Sequence, residues 1–168
     1  MRLKSVMNVV SARRVHQTDW QHEGIPFYRA REIGKLAENG YVDNELFISQ
    51  ELFNEYSASG TPKAGDLMVT AVGTLGKTYV VQKNDVFYYK DASVLCFENF
   101  GNLVPEFLQL LISSPYMIDL IKGKSTGTTV GTITITTANE YLIPIPPITE
   151  QARIFVQYNT LTKQIGML

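Results

Sequence analysis

Cysteine occurs once in these 168 residues, tryptophan once and histidine twice. A single cysteine excludes a disulfide framework, and a reducing cytoplasm is the expected compartment. Cys96 lies inside the apolar run SVLCF, far in sequence from both histidines. A small buried hydrophobe on a strand is expected there, not a nucleophile. His16 and His22 lack a cysteine cluster or an HExxH pattern, so no metal site is expected. No apolar run approaches the ~20 residues of a membrane span, and none heads the chain as a signal segment would. Strong charge of one sign is missing too: the formal net charge is −1, which argues against a strongly basic protein.

The charge is unevenly placed. Residues 1–35 carry Arg2, Lys4, Arg13, Arg14, Arg29, Arg31 and Lys35 against Asp19, Glu23 and Glu32. Residues 36–60 carry Glu38, Asp43, Glu45, Glu51 and Glu55 and no lysine or arginine. Two readings stand: a polyanion-facing side beside an acidic one, or a solvated surface of uneven charge. The length suits one domain with a sizeable core.

Between Ile25 and Asn99 the texture is β-like, with short apolar runs punctuated by Gly, Asn and Asp. GIPFYRA predicts a strand with Pro26 at its start. DLMVTAV and KTYVVQ, joined through GTLG, predict a hairpin, and NDVFYYKDASVLCFEN continues in strand texture. From Leu103 the period becomes helical. Leu103, Phe107, Leu108, Leu111 and Ile112 share one face, and Pro105 suits a first turn. Ser113-Ser114-Pro115 breaks that helix, and a second short one runs to about Gly123. A Gly/Thr/Ser-rich loop then leads into the alternating pattern TITIT, which predicts a strand, and YLIPIPPI predicts an extended strand ended by two prolines.

Thr149 is the expected N-cap of the last helix, with Glu150 in its first turn. Ile154, Tyr158, Leu161, Ile165 and Leu168 recur at spacings of 4, 3, 4 and 3, the pattern of a heptad seam. Two heptads fit a coiled coil or a docked amphipathic helix equally. The seam runs to the last residue without a C-cap, so the expectation is a helix cut short.

AVGTLGKT (71–78) is one glycine short of a phosphate-binding loop. Such a loop works by joining a strand to a helix, whose N-terminus adds its dipole to the loop N–H groups. Here YVVQ follows, in strand texture, so a hairpin turn with Gly73 and Gly76 is expected instead. No Rossmann glycine loop, no Asn/Asp-Pro-Pro-aromatic motif and no nuclease-like acidic pair with a lysine is present. The chain does not read as an enzyme.

A binding module remains, and its polar equipment suits DNA. Arg29 and Arg31 follow a strand directly and are long forked donors for phosphate or guanine. Lys122–Thr129 combines ammonium groups with hydroxyls, the groups that position phosphates. Lys77 and Lys90 extend this candidate set. Trp20 and Tyr28 are expected to pack, since duplex reading needs no flipped base.

In order, "DW…GIPFYRAREI", "PKAGDLMVTAVGTLGKTYVV", "YYKDASVLCF", "STGTTVGTIT" and "IPIPPITEQARI" resemble specificity subunits of type I restriction–modification systems. The motif formed by Pro146, Pro147, Glu150 and Gln151 at the start of a long helix is among the most recognisable features of that family. The resemblance covers the chain from about Arg13 onward. It implies a recognition domain that reads half of a split duplex DNA site. A long helix would follow as a spacer, pairing antiparallel with that of a second recognition half. It also implies docking of methyltransferase subunits and a restriction subunit, which carry catalysis, S-adenosylmethionine and ATP, so no cofactor is expected here. One recognition domain stands where the family has two, so either a fragment or a half-subunit that dimerises is expected.

The expected fold is mixed α/β (α+β): a twisted, sheet-rich recognition domain over 1–147 with two short packed helices, then the start of a coiled-coil-type helix over 148–168. The expected DNA contacts are Arg29, Arg31, Lys77, Lys90, Lys124, Ser125, Thr126, Thr128 and Thr129. The expected protein contacts are Ile154, Tyr158, Leu161, Ile165 and Leu168. The rival readings are a nucleotide-binding or nuclease domain built on AVGTLGKT, and a scaffold for methyltransferase that does not read DNA.

Overall fold

The computed structural model describes residues 1–124 and 131–166, with the Lys124 side chain left aside. Seven strands lie among them: β1 (Asn8–Val10), β2 (Ile25–Tyr28), β3 (Phe47–Ile48), β4 (Leu67–Thr70), β5 (Thr78–Val80), β6 (Tyr88–Tyr89) and β7 (Val94–Glu98). The α-helices are α1 (Ala30–Asn39), α2 (Gln50–Ser57), α3 (Pro105–Ile112), α4 (Pro115–Lys124), α5 (Ile135–Asn139) and α6 (Ile148–Gly166).

The larger sheet has the order β1-β7-β4-β5, antiparallel throughout. Its central strands are apolar on both faces, which is why LMVT and VLCF read as unbroken runs. Successive side chains leave a strand on opposite faces. Leu67, Val69, Leu95 and Phe97 enter one core with Phe107, Leu108 and Ile112 of α3 and Met117 of α4. Met68, Val94 and Cys96 enter a second core with Ile33 and Leu36 of α1. A smaller sheet, β3-β2-β6, pairs β2 antiparallel with β3 and parallel with β6, over a third cluster of Val15, Phe27, Ile48 and Tyr88. The mixed α/β expectation holds, as do the β4–β5 hairpin and the helices punctuated by Pro105 and Pro115.

Four expectations fail for identifiable reasons. The β-textured stretch 25–99 contains α1 and α2. In α1, the Glu32 carboxylate accepts the Arg29 backbone N–H at 2.9 Å. Gly40, at φ 76°, closes the helix by donating its N–H to the Leu36 carbonyl at 2.9 Å. In α2, the Ser49 hydroxyl accepts the Leu52 N–H. TITIT is not a strand: Thr134 Oγ1 accepts the Thr137 N–H and starts α5. YLIPIPPI forms no ladder beyond the single bridge Leu142–Arg2, because Pro144 and Pro146 have no N–H to donate.

The start of α6 also differs. Thr149 is not the cap, because the helix already begins at Ile148. The N–H groups of Glu150 and Gln151 donate to the Pro147 carbonyl at 2.9 and 3.0 Å, so the helical bonding starts at Pro147. Gln151 is 1% exposed. Its Oε1 accepts the Val104 N–H at the head of α3, and its Nε2 donates to the Pro146 carbonyl. The glutamine of the Pro-Pro-x-x-Glu-Gln motif therefore fastens α6 to α3. Glu150, by contrast, pairs with Arg153, one turn on at the surface.

Candidate nucleic-acid interface

AVGTLGKT opens no helix, since β5 starts at Thr78. The turn is laced by the buried Thr70 hydroxyl, which donates to the Thr74 carbonyl at 2.6 Å and accepts the Lys77 N–H at 2.9 Å. Gly73 (φ 78°) and Gly76 (φ 76°) take backbone angles that favour glycine. A Cβ on Gly76 would also stand 3.0 Å from Ile118 Cδ1 of α4, so the turn is pressed against that helix.

The turn does more than close the sheet. With α1 it walls an open cleft of about 380 Å³, lined by Arg31, Lys35, Glu38, Thr70, Thr74 and Lys77 among others. Gly34 and Gly73 have open space where a Cβ would stand, so the approach is not crowded. On its other side, toward α4, the turn lines a cleft with Ile118, Ile121, Lys122 and Gly131. Both flanks of the Gly/Thr-rich stretch thus lie beside the turn, and Val72 bridges to Thr132. The expected contacts Ser125, Thr126, Thr128 and Thr129 lie outside the described residues, as does the Lys124 side chain.

The expected basic contacts divide by role. Arg29 is turned inward: its Nε and Nη2 donate to the Glu32 carboxylate at 3.1 and 2.7 Å. Glu32 has no exposed side-chain surface. Burial opposes its charge, yet the hydrogen bonds from Arg29 and Arg31 outweigh burial and hold its carboxyl below the ordinary range. The side-chain hydrogen bond to Glu32 in turn raises Arg29. Arg31 places Nη1 on Glu32 at 3.0 Å and turns Nη2 toward Glu45 at 3.8 Å, so one end is anchored and the other is offered to solvent. Lys77 Nζ crosses the cleft to Glu38 Oε1 at 3.0 Å.

Lys90 reaches this side through topology. Parallel pairing aligns Phe27 with Tyr88 and Tyr28 with Tyr89, and the Lys90 N–H bonds the Tyr28 carbonyl at 2.9 Å. Arg29 and Lys90 therefore leave the same end of the small sheet.

Lys35 is a cleft residue that reading the sequence missed. Arg31, Lys35 and Glu38 recur at helical spacing on one face of α1, a signal visible only once 30–39 is read as a helix. Trp20 packs on Phe27 and Tyr28 stacks on Phe87, as expected of packing residues. Cys96 is buried on β7. Burial, with help from nearby Asp66 and Glu98, pushes its thiol far above the usual range, which suits an inert side chain. No grouping of three or more His, Cys, Asp or Glu that could hold a metal occurs among the described residues, and no described helix is long and apolar enough to cross a membrane.

On α6, Ile154 is not part of a free seam: it packs against the core that includes Phe107 and Leu111. Tyr158, Leu161 and Ile165 are 49%, 50% and 68% exposed. Leu168 lies outside the described residues.

The described residues thus form a mixed α/β domain with Arg31, Lys35, Glu38 and Lys77 on one cleft beside a hairpin turn, followed by a long helix that exposes Tyr158, Leu161 and Ile165. The chain belongs to the type I restriction modification DNA specificity domain family, whose model matches residues 1–166. It is 31% identical over 148 residues to a putative type I restriction enzyme specificity subunit of Haemophilus influenzae, covering 84% of this chain and 34% of that protein. It is 28% identical over 153 residues to the EcoBI specificity subunit of Escherichia coli, covering 86% of this chain and 31% of that protein. The fold matches the HsdS subunit from Thermoanaerobacter tengcongensis with a TM-score of 0.69 at 17% identity, over 99% of this chain and 38% of that one. A chain from a structural study of type I R-M assembly and conformational transition matches with a TM-score of 0.72 at 18% identity, over the same shares. The chain thus spans about a third of the length of the curated relatives it matches.

Proposed function

We propose that this chain is a non-catalytic recognition module that binds duplex DNA sequence-specifically and reads one half of a bipartite site. Residues 1–147 form the recognition domain, and 148–168 begin the spacer helix. Tyr158, Leu161 and Ile165, with Leu168 beyond, face a partner helix, while Ile154 docks α6 on the recognition domain. Methyltransferase and restriction subunits in the cytoplasm supply the catalysis, S-adenosylmethionine and ATP. The observation that carries this reading is the convergence of Arg31, Lys35 and Lys77 on one open cleft beside the hairpin turn.

Lys35 and Lys77 in the cleft, and Lys90 beside Arg29 at the end of the small sheet, hold phosphates. Arg31, anchored at one end by Glu32, presents its Nη2 end, which lies near Glu45, to the duplex, and Arg29 acts indirectly by neutralising Glu32. The stretch from Lys124 through Ser125, Thr126, Thr128 and Thr129 adds contacts from the far side of the turn. Phosphate contacts fix register, whereas base-edge contacts carry sequence. The strand that follows Lys77 speaks against the nucleotide-loop reading.

Lys77→Ala tests the assignment. Affinity for a selected duplex is expected to fall about fivefold, and the slope of log affinity against log salt to flatten by about one. Fluorescence anisotropy across a salt series reads both. Unchanged affinity would remove Lys77 from the interface. ATP binding by the parent chain, abolished by Lys77→Ala, would favour the nucleotide-binding rival.

A further inference from the structure

We propose that Glu38 and Glu45 are specificity-determining residues, which occupy Lys77 and Arg31 in the free chain and surrender them to a duplex seated in the cleft. This rests on the reading of that cleft as a DNA site. The acidic run at 36–60 is the second half of the charge asymmetry in the sequence, and two of its members meet the cations proposed to hold DNA. Glu38 stands on α1 and Lys77 on the hairpin, 39 positions apart, with 3.0 Å between Nζ and Oε1. Glu45 lies 3.8 Å from Arg31 Nη2.

These two carboxylates differ in kind from Glu32. Glu32 is fully buried, bonded by two arginines and the Arg29 N–H, so it is a permanent part of the fold. The Glu38 and Glu45 side chains are 58% and 69% exposed. Exposed ion pairs are weak and are exchanged readily for another anion.

A phosphate backbone that enters the cleft in register replaces both carboxylates, which swing into solvent. A duplex held loosely at the rim keeps meeting two negative charges without the compensating contacts. Binding of random sequence depends almost entirely on such electrostatic terms, so the acidic rim acts mainly against it. The pairs thus widen the gap between target and non-target DNA by weakening the latter.

The test uses the whole chain and a random-sequence 20-base-pair duplex. Glu38→Gln is expected to tighten binding about threefold, and Glu38→Gln with Glu45→Gln about tenfold. The salt slope is expected to steepen by about one for each freed cation. Glu55→Gln, the same charge change at an exposed position on α2, should alter affinity less than about 1.5-fold if only the carboxylates paired with Lys77 and Arg31 matter. In a Lys77→Ala background the gain from Glu38→Gln should disappear, which a change of net charge alone would not produce. Affinity for a sequence recovered by selection should change less than affinity for the random pool. The proposal is overturned if Glu38→Gln does no more than Glu55→Gln, if its gain survives Lys77→Ala, or if target and random duplex gain equally. Absence of salt-dependent duplex binding by the parent chain would instead overturn the DNA reading itself.

Discussion

Glu32→Ala is expected to destabilise the chain by about 2–3 kcal/mol. Removing one partner of a buried ion pair costs about 3–5 kcal/mol, and the lower figure applies because the guanidinium groups keep partial access to water. Three losses combine. The Arg29 N–H at the head of α1 loses its acceptor, and both arginines lose the carboxylate that aligns them. For a chain of this size the melting temperature should drop by roughly 5–10 °C, read by circular dichroism. Duplex binding should weaken as well, because Arg31 loses its anchor.

The pH dependence carries a sign. The folded Glu32 carboxyl titrates below its unfolded value. Its contribution is therefore full above the unfolded value and is lost as pH falls through the lower folded one. Glu32→Gln keeps an oxygen for the Arg29 N–H but removes this acid limb, so the gap between parent and variant should narrow on acidification. An equal gap at neutral and acid pH would mean that the charge of Glu32 contributes nothing.

Gln151→Leu is expected to cost about 2 kcal/mol, within the range of about 1–3 kcal/mol for an unpaired buried polar group. The volume stays similar, so the loss isolates the polar contacts. The Val104 N–H and the Pro146 carbonyl would both lose their partner. The effect should concentrate where α6 meets α3, with faster amide hydrogen exchange in 148–155 than in β4 or β7. Glu150→Ala, one position earlier in the same motif, should leave the melting temperature unchanged, because its pair with Arg153 lies at the surface. If the two substitutions behave alike, Gln151 is not the fastening between these helices.

Much of the scaffold was legible because local chemistry dictated it. The apolar runs around a two-glycine turn gave the hairpin, Pro105 the start of α3, and Ser113-Ser114-Pro115 the break before α4. The misses have separate physical causes. Helix α1 buries little beyond Glu32, Ile33 and Leu36, too narrow a stripe to stand out beside strong strands. The two signals it did carry were Glu32 near its start and Gly40 at its end. In TITIT the alternation was real, but a Thr134–Thr137 cap outweighed it.

The candidate site was legible in its residue types and not in its assembly. Arg29 and Arg31 looked equivalent in sequence, yet one is committed to Glu32 and the other reaches the cleft. Lys77 meets Glu38 only because α1 packs beside the hairpin, and Lys90 joins Arg29 only through parallel pairing. Such contacts are long-range and leave no local periodicity to read.

The central claim is sequence-specific duplex recognition through the cleft between α1 and the hairpin turn. It is tested most directly by selection from a randomised duplex library, with the chain held together with type I methyltransferase subunits. The account predicts a recovered motif that contains a short half site set by this chain, and its weakening or loss with Arg31→Ala and Lys77→Ala combined. Recovery of the library without any enriched motif, or of an unchanged motif from the doubly substituted chain, would contradict it.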